Sequence, residues 1–419
     1  MPNANGRRVA VVAGCRTPFA RAGTVLKDAR AVDLARHAAR ELLHRAELDP
    51  AEVDEVIFGQ VVPSPLVPNV AREVSLLPQF PKEIPAYSLN RACASALQAI
   101  TAAHDQIALG HANVVLAGGT ESLSDIPILV SRRLSDILLE ASKARTLGRR
   151  LRAFARVRPR DFVPISPAIA EPSTGMTMGQ SAEKMAKENG ISREAQDRWA
   201  LRSHQLAARG TQDGRLTAEI APWFPLDGKG PVITSDNGIR TDTSLEQMAK
   251  LPPVFDRKYG TVTAANASPL TDGAAAVLLM SGEAAAALGY RPLAYIRSYA
   301  VAAVDPGWQL LQAPVWAVPL ALERAGVQWR DLDLIEMHEA FAAQVLSNLK
   351  GLEEKGYEID EERINVMGGS IAIGHPFGAT GARLVTTLAN EMQRREARLG
   401  LVSVCAQGGM AVALVLERS

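Results

Sequence analysis

The sequence predicts an α/β protein made of two similar halves with a separate segment inserted between them. Three observations carry that prediction: strand-like and helical runs alternate, a short internal repeat is present, and the stretch 122–254 has a character of its own. At 419 residues the chain is long for one domain and natural for two or three.

Residues 9–13 read as a strand, about 31–45 as a helix, 56–62 as a strand, about 94–109 as a helix and 114–117 as a strand. The strand runs are apolar enough to be covered on both faces. The apolar run 274–280 reads as a buried strand or helix piece. Residues 45–57 align without gaps on 324–336, with Arg45 on Arg324, Ala46 on Ala325 and Asp54 on Asp333. Each copy closes a helix, turns and enters a strand. Later in each half a strand runs into paired glycines, Gly118-Gly119 and Gly408-Gly409. The expected halves are therefore 1–121 with about 255–285, and 286–419. The insert 122–254 is a loop domain with a helix over about 178–190 and a second one capped by Ser192.

Charge nearly cancels, 46 Lys+Arg against 45 Asp+Glu, so bulk electrostatics recruits neither nucleic acid nor an acidic membrane. An apolar content of 47% with 22% charged residues excludes disorder, collagen and coiled coil. No apolar run approaches the roughly 20 residues of a membrane span. The N-terminus lacks a signal-peptide plan, which makes a cytoplasmic location the expectation. The neutral total hides a basic block: residues 132–160 hold ten Lys+Arg against two acids. There Leu134, Ile137, Leu138 and Ala141, and then Leu147, Leu151 and Phe154, fall at helical spacing. The ordinary reading is solvated arginines on surface helices. The sharper one is a peripheral contact with an anionic membrane or a partner subunit.

Cys15, Cys93 and Cys405 are too few and too scattered for a disulfide framework or a zinc cage. Most such thiols only fill a core, but two have telling surroundings. Cys93 directly precedes a helical pattern, where the dipole lowers a thiol pKa and favours thiolate. Cys405 ends a strand beside glycines, in the position where α/β sheets bind ligands. His375 is framed by Gly374, Pro376, Gly378 and Gly381, a loop shaped for close approach, and the Lys-Ser/Thr ending of a phosphate loop is missing. His338 also stands at a strand end. Two Cys and two His at element ends are more than cores usually supply. Metal binding is conceivable from the residue types, but no pair has the short spacing of a zinc site, so no metal is expected.

In order along the chain, the block Asn90-Arg-Ala-Cys93, then Asn266-Ala267-Ser268, His338-Glu-Ala-Phe341, Gly374-His-Pro376 and Cys405 before Gly408-Gly409 resemble the successive signatures of the thiolases. Arg16-Thr-Pro-Phe19 fits as well. His rather than Asn before Glu-Ala-Phe is similar to the β-subunits of fatty-acid oxidation complexes. The basic insertion is similar to the bacterial anaerobic type and the mitochondrial trifunctional-protein type.

The resemblance implies a thiolase fold: two βαβαβαββ halves in a five-layered αβαβα core with an inserted loop domain. It implies a 3-ketoacyl-CoA thiolase of fatty-acid β-oxidation that needs no permanently bound cofactor and takes coenzyme A as substrate. His375 would deprotonate Cys93, which becomes acylated, and Cys405 would act as the general acid. The thioester oxygen would be held by His375 and a water on His338, and the second oxyanion by the backbone N–H groups of Cys93 and Gln407. Asn266, Ala267 and Ser268 would line the substrate and CoA path, with Ser268 on the pantetheine arm. A homodimer or dimer of dimers is implied, and a hydratase/dehydrogenase α-subunit is a candidate partner. The alternatives are an acetoacetyl-CoA-forming biosynthetic thiolase and a non-catalytic lipid-binding protein on the same fold. Two departures from the family pattern, Gln407 and Ala411, put the geometry of the Cys405 loop in question.

Overall fold

The computed structural model describes residues 7–164, 170–225 and 228–418. The first half runs β1 (Val9–Arg16), the two-residue β2 (Ala20–Arg21), α1 (Ala31–Ala46), β3 (Glu55–Gly59), α2 (Val70–Ser75), β4 (Ala86–Leu89), α3 (Ser95–Ala108) and β5 (Val114–Glu121). The insert supplies α4 (Arg132–Lys143), α5 (Leu147–Phe154), α6 (Met178–Glu188), α7 (Arg193–Gln212) and α8 (Leu245–Ala249). Strand β6 (Thr271–Ser281) then returns the chain to the first half, and α9 (Gly282–Ala287) leads on. The second half is β7 (Ala294–Ala303), α10 (Pro314–Ala325), β8 (Leu334–Met337), α11 (Ala342–Glu353), α12 (Ser370–Ile373), α13 (Thr380–Arg394), β9 (Leu399–Ala406) and β10 (Met410–Glu417).

The strands lie in the order β4-β3-β5-β6-β1-β7-β10-β9-β8, with β2 against β6. Strand β3 is parallel to β4 and β5, and β8 is parallel to β9; the other pairings are antiparallel. The two halves meet in a seam of three residue pairs between β1 and β7: Val9 with Ile296, Ala10 with Tyr295, and Val11 with Ala294.

The repeat is visible atom by atom. The Asp54 carboxylate accepts from the Asn113 and Val114 N–H groups at 2.6 and 2.9 Å, and Asp333 accepts from those of Arg398 and Leu399 at 2.7 and 2.9 Å. Each aspartate thus ties the entry of one parallel strand to the start of its neighbour. The preceding helices close on equivalent left-handed residues, Glu47 at φ 51° and Gly326 at φ 65°.

Alternation along the strands sorts side chains into layers. On β6, which is buried throughout, Ala275, Val277 and Leu279 enter a core shared by both halves, while Ala276, Leu278 and Met280 pack beneath α1. On β9, Val402 and Val404 face the shared core, while Leu399 and Leu401 face α10 and α11. Helices α3 and α13 fill the shared core through Leu97, Ile100, Leu384 and Leu388. The order is helices, sheet, helix pair, sheet, helices: the five layers expected. The helix pair touches through Gly381, where an added Cβ would sit 2.5 Å from the Leu97 backbone nitrogen.

Helices α4 and α5 form a small core of their own from Ile137, Ala141 and Ala153, leaving Leu147 72% and Leu151 61% exposed. Among the described residues, no helix is long and apolar enough to cross a membrane.

Candidate active site

The four residues singled out by the sequence converge from different elements. Cys93 lies between β4 and α3, His338 directly follows β8, His375 lies between α12 and α13, and Cys405 is next to last in β9. The Cys93 sulfur and one ring nitrogen each of His338 and His375 lie within 4.8 Å of one another. The two imidazole rings are 4.1 Å apart at 45°. Cys405 is buried close enough to Cys93 for a charge on one sulfur to bear on the other.

Local folding places each group. Ala92 takes φ 45°, a turn before α3 that the Ser95 hydroxyl fastens by accepting from Arg91 N–H at 2.8 Å and donating to the Ala92 carbonyl at 2.6 Å. The His375 N–H donates to Thr271 Oγ1 at 3.0 Å, and its Nδ1 meets Thr380 Oγ1 at 2.6 Å. His338 Nδ1 meets Ser370 Oγ at 2.9 Å, and that hydroxyl accepts from Arg383 Nη2 at 2.9 Å. Both Nε2 atoms are buried without a partner. Buried polar atoms are almost always paired, so two orphans at one thiol mark a place for a ligand.

The electrostatics correct one expectation. Burial pushes the Cys93 thiol up to about 12, outweighing the Gln407 N–H and its own N–H, which favour the thiolate. The helix start therefore does not supply a standing thiolate, because loss of water around the sulfur costs the charged form more than the neighbouring N–H groups return. Burial and the Cys93 charge raise Cys405 further. Burial and then the Arg383 charge lower His375 to about 3; His338 is held down by burial, His375 and Arg383. At neutral pH the resting site is two thiols and two neutral imidazoles.

The Cys405 loop turns through Gly408 and Gly409, at φ 87° and 71°. Ala411 lies beyond the turn in regular register opposite Cys405, so its methyl strains nothing. The Gln407 side chain donates to the Ala170 carbonyl at 2.9 Å, and Gly408 N–H donates to Glu171 at 3.0 Å. Both Gln407 and Gly408 thereby fasten the loop to the insert.

Residues 266–268 run beside the His338 loop: Ala342 N–H donates to the Asn266 carbonyl at 2.9 Å, Ala267 bridges Phe341, and Ser268 N–H donates to the Ala340 carbonyl at 3.0 Å. The Asn266 side chain accepts from Thr263 N–H and donates to Asp197 and to the Thr261 carbonyl. Both amide hydrogens are thereby engaged within the protein, and the side chain supports the loop. Ala267 packs beside Cys405, and Ser268 is half-buried.

Sequence reasoning missed the supporting residues. Ser370, Thr380 and Arg383 hold the histidines. Glu339 is buried, accepting from Trp199 Nε1, Ser203 Oγ and Asn365 Nδ2. Glu121, also buried, accepts from Val61, Val62 and Gly378 N–H at 3.0, 3.1 and 3.0 Å, fixing the His375 loop to the first half; burial raises it to about 7. Only Glu339 and Thr380 had a signal, their places in the blocks around His338 and His375. The Cys93, His338 and His375 set is also the group among the described residues that has donor atoms close enough to hold a metal ion.

Residues 9–283 match the family model described as thiolase, N-terminal domain, and residues 290–418 match thiolase, C-terminal domain. The chain is 49% identical to a 3-ketoacyl-CoA thiolase of Cronobacter sakazakii, over 98% of this chain and 97% of that protein. It is 48% identical to one of Yersinia enterocolitica, with the same coverage. Human mitochondrial 3-ketoacyl-CoA thiolase superposes with a TM-score of 0.86 at 36% identity, covering 99% of this chain and 100% of that one. An acetyl-CoA acetyltransferase of Bacillus anthracis superposes with a TM-score of 0.87 at 35% identity, covering 99% of each chain.

Proposed function

The chain belongs to the thiolase family, and from that premise we propose that it is a 3-ketoacyl-CoA thiolase, cleaving 3-oxoacyl-CoA with CoA through an acyl-Cys93 intermediate. The observation that carries the reading is the meeting, within 4.8 Å, of the Cys93 sulfur with a ring nitrogen from each of two buried histidines whose Nε2 atoms have no partner. CoA is a substrate here, as befits a relative solved in complex with CoA: the human mitochondrial enzyme, at a TM-score of 0.85 and 35% identity over 99% of this chain and 98% of that one.

In this reading His375 Nε2 takes the Cys93 proton as the sulfur attacks the 3-keto carbon. Transfer accompanies attack, since the resting thiol is neutral. The oxyanion at that carbon rests on the Cys93 and Gln407 N–H groups, which already approach the sulfur. Cleavage between C2 and C3 leaves acyl-Cys93 and an acetyl-CoA enolate. The enolate oxygen is held on the His375 and His338 side, and Cys405 protonates C2. A buried, neutral Cys405 suits a proton donor. The Cys405 thiolate takes the proton of a second CoA thiol, whose sulfur attacks the acyl group; the Cys93 thiolate leaves and recovers its proton from His375, and the product is an acyl-CoA shorter by two carbons. Residues 122–254 act as the loop domain.

Turnover of 3-oxoacyl-CoA across chain lengths is the test. Activity on long chains supports the degradative reading; activity confined to acetoacetyl-CoA favours the biosynthetic one; no turnover at any length points to a lipid-binding protein.

We further read the enzyme as a cytoplasmic homodimer or dimer of dimers whose α4–α5 pair docks on an anionic lipid surface. Exposed Leu147 and Leu151 flanked by Arg149, Arg150 and Arg152 support that contact. Replacing Arg149, Arg150, Arg152 and Arg156 by Gln should weaken binding to anionic vesicles and leave turnover of short substrates intact. Binding unaffected by the replacement and by salt would refute it. Loss of binding to a hydratase/dehydrogenase α-subunit instead would assign the surface to a protein.

A further inference from the structure

The two site histidines look alike: both are buried and neutral, both have Nδ1 on a hydroxyl and an unpartnered Nε2, and both bring a ring nitrogen within 4.8 Å of the thiol. Their chemistry depends on which nitrogen carries the single proton. The hydroxyls settle that, because each has only one proton to give.

At His338, the partner is Ser370 Oγ. The Arg383 guanidinium can only donate, so its 2.9 Å contact consumes a lone pair of that oxygen. The Ser370 proton then has one acceptor among its contacts, His338 Nδ1 at 2.9 Å. A proton on Nδ1 would press two donors onto Ser370 and leave its hydroxyl proton unpaired in a fully buried site, which folding penalises. His338 therefore accepts at Nδ1 and carries its proton on Nε2. At His375, Thr380 Oγ1 gives its proton to the Pro376 carbonyl at 2.9 Å, as residues in the first turn of a helix do. Its oxygen is left to accept from His375 Nδ1 at 2.6 Å. His375 carries its proton on Nδ1 and presents a bare lone pair at Nε2.

We propose that Ser370, clamped by Arg383, is the positioning residue that locks His338 as an Nε2–H donor, opposite in tautomer to its neighbour His375, so that one ring serves as base and the other as oxyanion donor. The division suits both steps: with two bare Nε2 atoms the enolate oxygen would have only the proton that His375 takes from Cys93, and with two protonated ones Cys93 would have no base. It also accounts for a fully buried arginine in the shared core, paired only distantly with Glu336 at 3.5 Å. A donor-only group is what compels Ser370 to spend its proton on His338. The same proton on Nε2 makes His338 a poor ligand for a metal ion.

The inference rests on the thiolase reading, and the experiment separates the two. Neutron diffraction from deuterium-exchanged crystals of the resting enzyme locates the protons. Deuterium is expected on Nε2 of His338 and Nδ1 of His375; deuterium on Nδ1 of His338 overturns the proposal. In Ser370→Ala, exchange of acetyl-CoA methyl protons with solvent deuterium, which passes through the enolate, should fall about 10- to 100-fold. Acylation of Cys93 by an acyl-CoA, which uses the N–H groups of Cys93 and Gln407, should stay within about threefold. Equal loss of both half-reactions makes Ser370 merely structural and refutes the proposal. A wild-type enzyme that shows deuterium on His338 Nε2 but turns over no 3-oxoacyl-CoA would sink the thiolase reading and leave the tautomers standing.

Discussion

Adding one methyl at Gly381 tests whether the helix pair in the shared core sets the spacing of the active site. A Cβ there would lie 2.5 Å from Leu97 N, 2.8 Å from Leu97 Cβ and 3.0 Å from Leu97 Cα. Backbone of α3 cannot swing aside as a flexible side chain would. Relief to an ordinary contact of about 3.5 Å requires α3 and α13 to part by about 1 Å. Cys93 sits two residues before α3 and His375 five residues before α13, so that displacement reaches the reacting groups. Gly381→Ala should cost about 1–3 kcal/mol in urea unfolding, the usual range for overpacking. It should lower kcat about 10²-fold, the scale of a 1 Å misplacement. Gly148→Ala, inside α5 with nothing near its Cβ, is the control and should stabilise by about 0.5–1 kcal/mol. A Gly381→Ala enzyme with unchanged unfolding and full turnover would refute the idea that this contact sets the site.

Cys93→Ser should lose roughly 10³-fold or more in turnover, and mass spectrometry of wild type after brief exposure to an acyl-CoA should place the acyl group on the Cys93 peptide; label on Cys405 would reverse the roles. Cys405→Ala should block exchange of acetyl-CoA methyl protons yet permit acylation, whereas His375→Ala should impair acylation itself. Glu121 predicts a pH effect: its carboxyl ordinarily titrates near 4.5 and here near 7. A raised acid pKa means that the folded state holds the proton more tightly, so stability is full below about 4.5 and lost as pH rises through 7. That gap corresponds to about 3 kcal/mol. Glu121→Gln should flatten the dependence of unfolding free energy on pH across that window, and an unchanged slope would assign it to other groups.

The motif residues were legible because each is reactive in itself: Cys93, His338, His375 and Cys405 come together as read. So was the duplication, since Asp54 and Asp333 make the same two backbone bonds. What sequence hides is support given at a distance. Ser370, Thr380 and Glu121 act through other residues, and a serine beside glycines carries no mark of the arginine that will clamp it. The same blindness lengthened a strand: residues 56–62 read as continuous, but β3 ends at Gly59 because the Val61 and Val62 N–H groups turn to Glu121, some sixty residues on. The thiolate expectation for Cys93 failed for a related reason, since helix position is visible in sequence and depth of burial is not.

The duplicated strand entry has a consequence for stoichiometry. Counting on from Asp54 and Asp333, the position that is His338 in the second half is Gly59 in the first. There a Cβ would strike the backbone of Ser95 at 2.6 Å, because the start of α3 occupies the space. In the first half the crevice is closed by the helix that follows the nucleophile, and in the second half it stays open for His338. A chain with two matching scaffolds therefore carries a single reaction centre, and an acylating inhibitor should saturate at one equivalent per polypeptide however symmetrical the architecture.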